Sequence, residues 1–190
     1  MVETKQSFAL EKRLQDLYDA HTERSKLIEW NYYDYLPWEK GSSFTLNPWN
    51  ESQRTLPTEI VTAIETSMLT EINLPWYTAY LKDMFRDGLA PLQGFVHNWV
   101  AEEDQHATAL ENYLVLTRNS DPKELGVLKR EMMVTGWDST FASPIATMGY
   151  TAIQELATVV FYQKIAKSSK EHDETLSVLL TRLSKDESLH

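Results

Sequence analysis

The chain is expected to be all-α, built on a four-helix bundle, and three observations carry that expectation. Breakers are scarce, with 6 Gly and 7 Pro among 190 residues. Long segments repeat apolar residues at spacings of three and four, the period of a helix with one buried face. The pattern Glu-x-x-His occurs twice, at Glu103–His106 and Glu187–His190, each copy 32 residues after a Glu, Glu71 and Glu155. On a helix, Glu and His three apart share a face. Two such pairs, each with a lone upstream Glu, describe four helices that aim four Glu and two His at one centre. Bundles that hold two iron or two manganese ions on carboxylates use this set of side chains.

In chain order, residues 5–20 form a first predicted helix with Phe8, Leu10, Leu14, Leu17 and Tyr18 on one side. The period fails from about 28 to 57. The aromatic run within 28–41 reads as an ordered, irregular segment laid across the bundle, since so many rings suit a packed surface better than solvent. Leu56-Pro57-Thr58-Glu59 opens a helix whose stripe is Ile60, Ile64, Met68 and Glu71. Pro75 cannot donate to the Glu71 carbonyl, so the helix should loosen beside that carboxylate. It should stop near Asp87-Gly88, with Pro91 starting the next.

The second stripe runs Phe95, Trp99, Glu103, His106, Leu110 and Tyr113 or Leu114. Asp121-Pro122-Lys123-Glu124 has the order of a capping box and begins a short helix that ends near Gly136, before a loop over 137–141. Ser143-Pro144 caps the third long helix, with Met148, Thr151 or Ala152, Glu155, Thr158 or Val159, and Tyr162 facing inward. After a polar turn at 168–173, Leu176, Leu179 or Leu180, Leu183, Glu187 and His190 mark the fourth. No linker or low-complexity tract interrupts the chain, so residues 1–190 are expected to form one domain.

Composition narrows the function. With no Cys, disulfides, iron–sulfur clusters and thiolate-bound zinc are excluded. Eighteen basic against 28 acidic residues, a net charge of −10, argue against nucleic acid as a main partner. No apolar run reaches the roughly 20 residues of a membrane helix, and the N-terminus lacks a signal-peptide core, so a cytoplasmic protein is expected. Six Trp, nine Tyr and six Phe predict an aromatic core.

All four glutamates fall on stripes of core residues. An unpaired buried carboxylate costs several kcal/mol or takes up a proton, so four converging ones call for cations. Imidazole nitrogen among carboxylate oxygens favours iron or manganese over calcium or magnesium. Two iron ions are the expected cofactor, with manganese able to use the same donors. His21, His97 and His172 lie off these stripes and are expected at the surface. Thr158, one turn past Glu155, either bonds back to its own helix or lines a pocket at the site. Asp186 either holds a ligand imidazole or is solvated. Trp30 belongs either to packing or to an electron path.

Several stretches resemble the soluble acyl-acyl carrier protein desaturases, including the plant stearoyl type and the actinobacterial ones. They are Glu29-Trp30-Asn31-Tyr32-Tyr33-Asp34-Tyr35-Leu36-Pro37, Thr70-Glu71-Ile72-Asn73-Leu74-Pro75-Trp76-Tyr77 and Trp99-Val100-Ala101-Glu102-Glu103-Asp104-Gln105-His106. Tyr113-Leu114-Val115-Leu116-Thr117-Arg118 with Asp121-Pro122, Gln154-Glu155-Leu156-Ala157-Thr158 and Asp186-Glu187-Ser188-Leu189-His190 follow in family order.

The resemblance implies a ferritin-like four-helix core with additional helices. It also implies that Glu103 and Glu187 bridge two irons, with Glu71 and His106 completing one and Glu155 and His190 the other. Thr158 would be the pocket threonine, and Trp30 and Asp186 an electron route to His106. The implied reaction takes two electrons from a ferredoxin-like donor, O2 and a saturated acyl chain on acyl carrier protein, and yields a cis double bond and water. A homodimer is expected.

Family members continue past the position of His190. The domain is therefore expected to be C-terminally truncated, with its Glu155–His190 iron the weaker-held. Acyl carrier protein is acidic, and Arg118, Lys123, Lys129 and Arg130 are the nearest approach to a basic docking patch. Two other classes fit the same ligand set: an iron-storing or ferroxidase protein of the ferritin type, and a catalytically silent acyl-binding homologue.

Overall fold

The structure, a computed structural model, describes residues 2–87, 90–139, 141 and 143–190. Among these, seven α-helices carry the fold and no strand occurs: α1 (Val2–Ser25), α2 (Thr58–Ile72), α3 (Leu74–Met84), α4 (Ala90–Leu116), α5 (Pro122–Thr135), α6 (Pro144–Ser169) and α7 (Glu174–Glu187). Short 3₁₀ turns punctuate the irregular segment between α1 and α2.

The bundle proper is α2, α4, α6 and α7. α6 packs along α7, to which the turn at 170–173 joins it, and α2 packs along α4. Ile60, Ile64 and Met68 of α2, Leu110 and Leu114 of α4, Tyr162 of α6 and Leu176, Leu179, Leu180 and Leu183 of α7 close the core between them. Burying each such side chain stabilises the fold by about 1.5–3 kcal/mol. A second apolar cluster, Tyr77, Leu81, Phe85, Val96 and Trp99, joins α3 to α4.

The helix ends follow from local chemistry. Asp121 accepts the Lys123 N–H, Ser143 the Ala146 N–H and Asp173 the Leu176 N–H, each satisfying a donor that the first turn leaves free. α2 ends one residue after Glu71, and Asn73 turns the chain into α3 with Pro75 in its first turn. The proline therefore starts a new helix where loosening was expected. Gly88, expected at the stop of that stretch, lies outside the described residues.

α4 ends in a pair of reversed bonds, Arg118 N–H to the Val115 carbonyl and Asn119 N–H to the Leu114 carbonyl. This Schellman geometry puts Arg118 at φ 57°, where glycine is usual.

Four expectations need correction. α1 is longer than predicted, and Phe8, Leu10 and Leu17 on its supposed buried side are exposed, Phe8 by 71%. The helix rests mainly on α4, along a strip through Tyr18 and His21. There the Tyr18 ring covers Gly94, where an added Cβ would sit 3.1 Å from it, and Tyr18 Oη accepts from Asn98. Residues off that strip stay in solvent. His21, expected at the surface, is buried at 4% exposure because it has partners inside. Met148 is 38% exposed, since α6 is apolar on several sides and its period does not single out one face.

Arg118 belongs to no surface patch. It is buried, donates to Ser42 Oγ, Gln53 Oε1 and the Asn47 carbonyl, and lies over the Phe44 ring, clamping the irregular segment onto the end of α4. That segment is ordered, as expected. Leu36 and Leu56 enter the main core from it, while Tyr33 and Trp38 stack on each other at the surface. Among the described residues no helix is long and apolar enough to cross a membrane.

Candidate metal centre

Each ligand candidate reaches the centre from a different point in the bundle. Glu71 comes from the last turn of α2, Glu103 and His106 from the middle of α4, Glu155 from the middle of α6, and Glu187 from the end of α7. His190 lies three residues past α7, carried inward by a turn in which Leu189 N–H donates to the Asp186 carbonyl and His190 N–H to that of Glu187. The six side chains form two groups whose ligand atoms lie within 4.8 Å of one another: Glu71, Glu103, His106 and Glu187, and Glu103, Glu155, Glu187 and His190.

Glu103 and Glu187 belong to both groups, and their oxygens divide between the two imidazoles. Glu103 Oε2 lies 2.9 Å from His106 Nδ1, and Oε1 lies 2.6 Å from His190 Nδ1. Glu187 Oε1 is 3.2 Å from His106 Nδ1, and Oε2 is 3.5 Å from His190 Nδ1. Glu155 Oε2 stands 3.3 Å from His190 Nδ1. Despite these distances, Glu103 Oε1, His106 Nδ1 and both ring nitrogens of His190 have no hydrogen-bond partner. Lone pairs that converge while buried, without aligned donors, suit cations held between them. Four carboxylates with two imidazole nitrogens fit two iron or manganese ions.

Burial pushes Glu71 well above the ordinary carboxylate range, and the charges of Glu103 and Glu187 add to it. Burial likewise raises Glu155, to about 8, against the pull of His190. Burial opposes the charged form of both imidazoles, but it is outweighed: Glu103 and then Glu187 raise His106 well above its usual value, and Glu103, Glu102 and Glu155 raise His190. Glu187 is held far below its usual value, since His106 and His190 outweigh its burial. Without ions, protons on nitrogen and carboxyl balance the cluster. Ions would displace them.

The surrounding contacts sort the remaining predictions. Asp186 is buried; its Oδ2 lies 2.9 Å from His106 Nε2 and accepts from Trp30 Nε1 at 2.8 Å. The Trp30 ring lies 6.2 Å from that of His106. Thr158 meets both of its readings: Oγ1 donates to the Gln154 carbonyl at 3.0 Å, and the residue lines a cavity of about 380 Å³ with Glu71, Glu103, Glu155 and Glu187. Tyr77, Trp99, Trp137 and Tyr150 wall the same cavity. His97 and His172 are exposed, as expected.

Sequence reasoning missed the site contacts of three residues, Tyr162, Glu102 and His21. Tyr162 donates to Glu71 Oε1 at 2.7 Å. Glu102 Oε2 lies 3.3 Å from His190 Nε2 and 3.1 Å from His21 Nε2. A signal for Glu102 was present: an acid stands immediately before each Glu-x-x-His, Glu102 in one copy and Asp186 in the other. The two acids cross over, Asp186 serving the histidine of the first copy and Glu102 that of the second.

A family model described as fatty acid desaturase matches residues 6–190. A Mycobacterium tuberculosis protein that carries the name acyl-[acyl-carrier-protein] desaturase DesA1 is 32% identical over 173 residues, covering 85% of this chain and 50% of that protein. DesA2 of the same organism is 30% identical over 188 residues, covering 96% and 67%. The seed-specific, chloroplastic stearoyl-[acyl-carrier-protein] 9-desaturase of Brassica napus is 30% identical over 171 residues, covering 85% and 43%. The chain thus spans about half the length of several relatives. The X-ray structure of DesA2 superposes with a TM-score of 0.65 at 28% identity, over 96% of this chain and 66% of that one. The all-α, ferritin-like architecture expected from the sequence is the one the two share.

Proposed function

Because the chain belongs to the fatty acid desaturase family, we propose that it carries the di-iron active site of an acyl-[acyl-carrier-protein] desaturase. One observation carries this reading. Two four-residue ligand groups share two carboxylates at the centre of a bundle that the family model spans almost entirely. Glu103 and Glu187 would hold both ions, Glu71 and His106 one, and Glu155 and His190 the other.

The reaction removes two hydrogens from adjacent methylenes of a saturated acyl chain. With two electrons, two protons and O2, it gives a cis double bond and two waters. When bound, the iron pair supplies the oxidising power that no side chain has.

The protein's own residues prepare that chemistry. Asp186 takes the Nε2–H of His106, which leaves Nδ1 bare toward Glu103 and Glu187 and fixes the ring. Tyr162 steadies Glu71 by donating to it. The rings of Tyr77, Trp99, Trp137 and Tyr150 give the cavity beside Thr158 an aromatic wall, against which an acyl chain can lie facing the carboxylates. Thr158 places a hydroxyl on that wall, where it can hold a proton beside the carboxylates. Trp30 and Asp186 line a second, surface cavity of about 460 Å³, and both reach His106, so electrons from a ferredoxin-like donor have a short route inward. Acyl carrier protein brings the substrate, and the working unit is a homodimer.

The test is anaerobic loading with Fe(II), followed by O2, a saturated acyl-acyl carrier protein and a ferredoxin-type reductant. Mass spectrometry of the released acyl group should show the loss of two hydrogens, dependent on iron and reductant. Two bound irons that oxidise without any acyl product would overturn the desaturase reading and favour a ferroxidase.

A further inference from the structure

We propose that Arg182 is a positioning residue for the His106 half of the site, acting through Asp186, an inference that rests on the di-iron reading. His106 turns Nδ1 to Glu103 and Glu187 because its other nitrogen, Nε2, is engaged by Asp186 Oδ2 at 2.9 Å. A carboxylate thus aims the ring, and whatever fixes that carboxylate fixes the ring too.

Among the described contacts Asp186 meets three side chains. Oδ2 faces His106 and accepts from Trp30 Nε1 at 2.8 Å, while Oδ1 lies 3.4 Å from Arg182 Nη2. At 3.4 Å the pairing rests on charge more than on a short hydrogen bond. Charge acts strongly here, because both side chains are nearly buried, Arg182 at 13% and Asp186 at 7% exposure. With an ion on Nδ1, His106 is a neutral donor, as Trp30 always is. Arg182 is then the side-chain counter-charge that a buried carboxylate requires.

Two further observations set Arg182 apart from an ordinary pair along a helix. Three other pairs one turn apart, Lys12–Asp16, Lys26–Glu23 and Arg86–Asp83, have side chains more than 60% exposed, where such pairing contributes little. The Arg182 guanidinium also lies over the Trp30 ring, 5.1 Å from its centroid. Arg182, Trp30 and Asp186 therefore close a triangle, in which each residue touches the other two. A flat guanidinium can meet a ring face and a carboxylate together, whereas an ammonium is a point charge that suits one of them.

The experiment is a Co(II) titration, followed by calorimetry and the visible ligand-field bands, for wild type, R182M, R182K, D186N and R182M/D186N. Met keeps an unbranched stem and removes the charge and the donors. Lys keeps the charge. Wild type should take up two ions. D186N should weaken one of them tenfold to hundredfold, the usual range for a group that orients a ligand. R182M should weaken the same ion by roughly threefold to tenfold, within the coupling range of residues in one network, and R182K should recover part of that loss. The double variant should bind as D186N does, because Arg182 has no other route to the ion. E71Q should weaken the same ion, so R182M/E71Q should still bind the remaining one as wild type does.

Two ions of wild-type affinity in R182M would overturn the proposal and leave the di-iron reading standing. Equal weakening of both ions would overturn it too, since that is the mark of a general folding defect. Losses that add in R182M/D186N would overturn the route through Asp186. Wild type that takes up no ion would sink the di-iron reading and the proposal with it. Two ions in wild type and an Asp186-dependent loss of one in R182M, from a protein that forms no desaturated product when iron-loaded, would uphold the positioning role and sink only the proposed reaction.

Discussion

Replacing Glu103 by Gln should remove most of the stabilisation that metal confers, because this carboxylate is shared. Its two oxygens lie 2.9 Å and 2.6 Å from the nitrogens of His106 and His190, and it belongs to both ligand groups. An ion that binds only the folded state at 100 times its Kd stabilises by about 2.7 kcal/mol, so two ions give about 5 kcal/mol. For a domain of this size, at about 2–4 °C per kcal/mol, Tm should rise by roughly 10–20 °C.

Loss of a ligand should weaken binding by at least the ~100-fold seen at the upper end for groups that merely orient one. At the same ion concentration each ion would then contribute only about 0.4 kcal/mol. The shift in E103Q should therefore shrink to roughly 3 °C or less. Glu71 belongs to one group only, so E71Q should keep about half the wild-type shift. The assay is differential scanning calorimetry with and without anaerobic Fe(II) or Co(II), with E59Q on the surface of α2 as control. An E103Q protein that gains as much as wild type, or an E71Q protein that loses as much as E103Q, would refute the shared-ligand geometry.

Metal-free protein should lose stability as pH rises from about 5.5 to 8, followed by Tm. Glu71, Glu155, His106 and His190 are all raised, so the folded state holds more protons than the unfolded one across this window. Glu187 is lowered, and its contribution fades only as pH falls below its usual 4.5, outside the window. The Co(II)-loaded protein should show the opposite slope, because ions displace those protons. R118A should destabilise by about 2–4 kcal/mol in urea unfolding, through three lost hydrogen bonds and a φ of 57° that alanine resists. R118G should be about 1 kcal/mol less damaging despite losing more side chain. L180A, fully buried between the helices, should cost about 2–5 kcal/mol and leave the number of bound ions unchanged.

Much of the site was legible from one dimension. A helix repeats every 3.6 residues, so Glu71, Glu103, His106, Glu155 and Glu187 declared their inward direction by falling in line with Met68, Leu110, Tyr162 and Leu183. The same period placed the core leucines of α7. It misjudged α1, where Phe8 and Leu17 look inward by spacing yet are exposed.

Periodicity reports which way a residue points within its own helix and is silent about what it meets across the bundle. The division of Glu103 and Glu187 between two imidazoles, the crossing of Asp186 to His106 and of Glu102 to His190, and the burial of His21 all depend on helix pairing. The contacts that set them join residues 80, 81, 156 and 168 positions apart. Packing brings those residues together, because the buried acids and imidazoles must find partners wherever the helices place them.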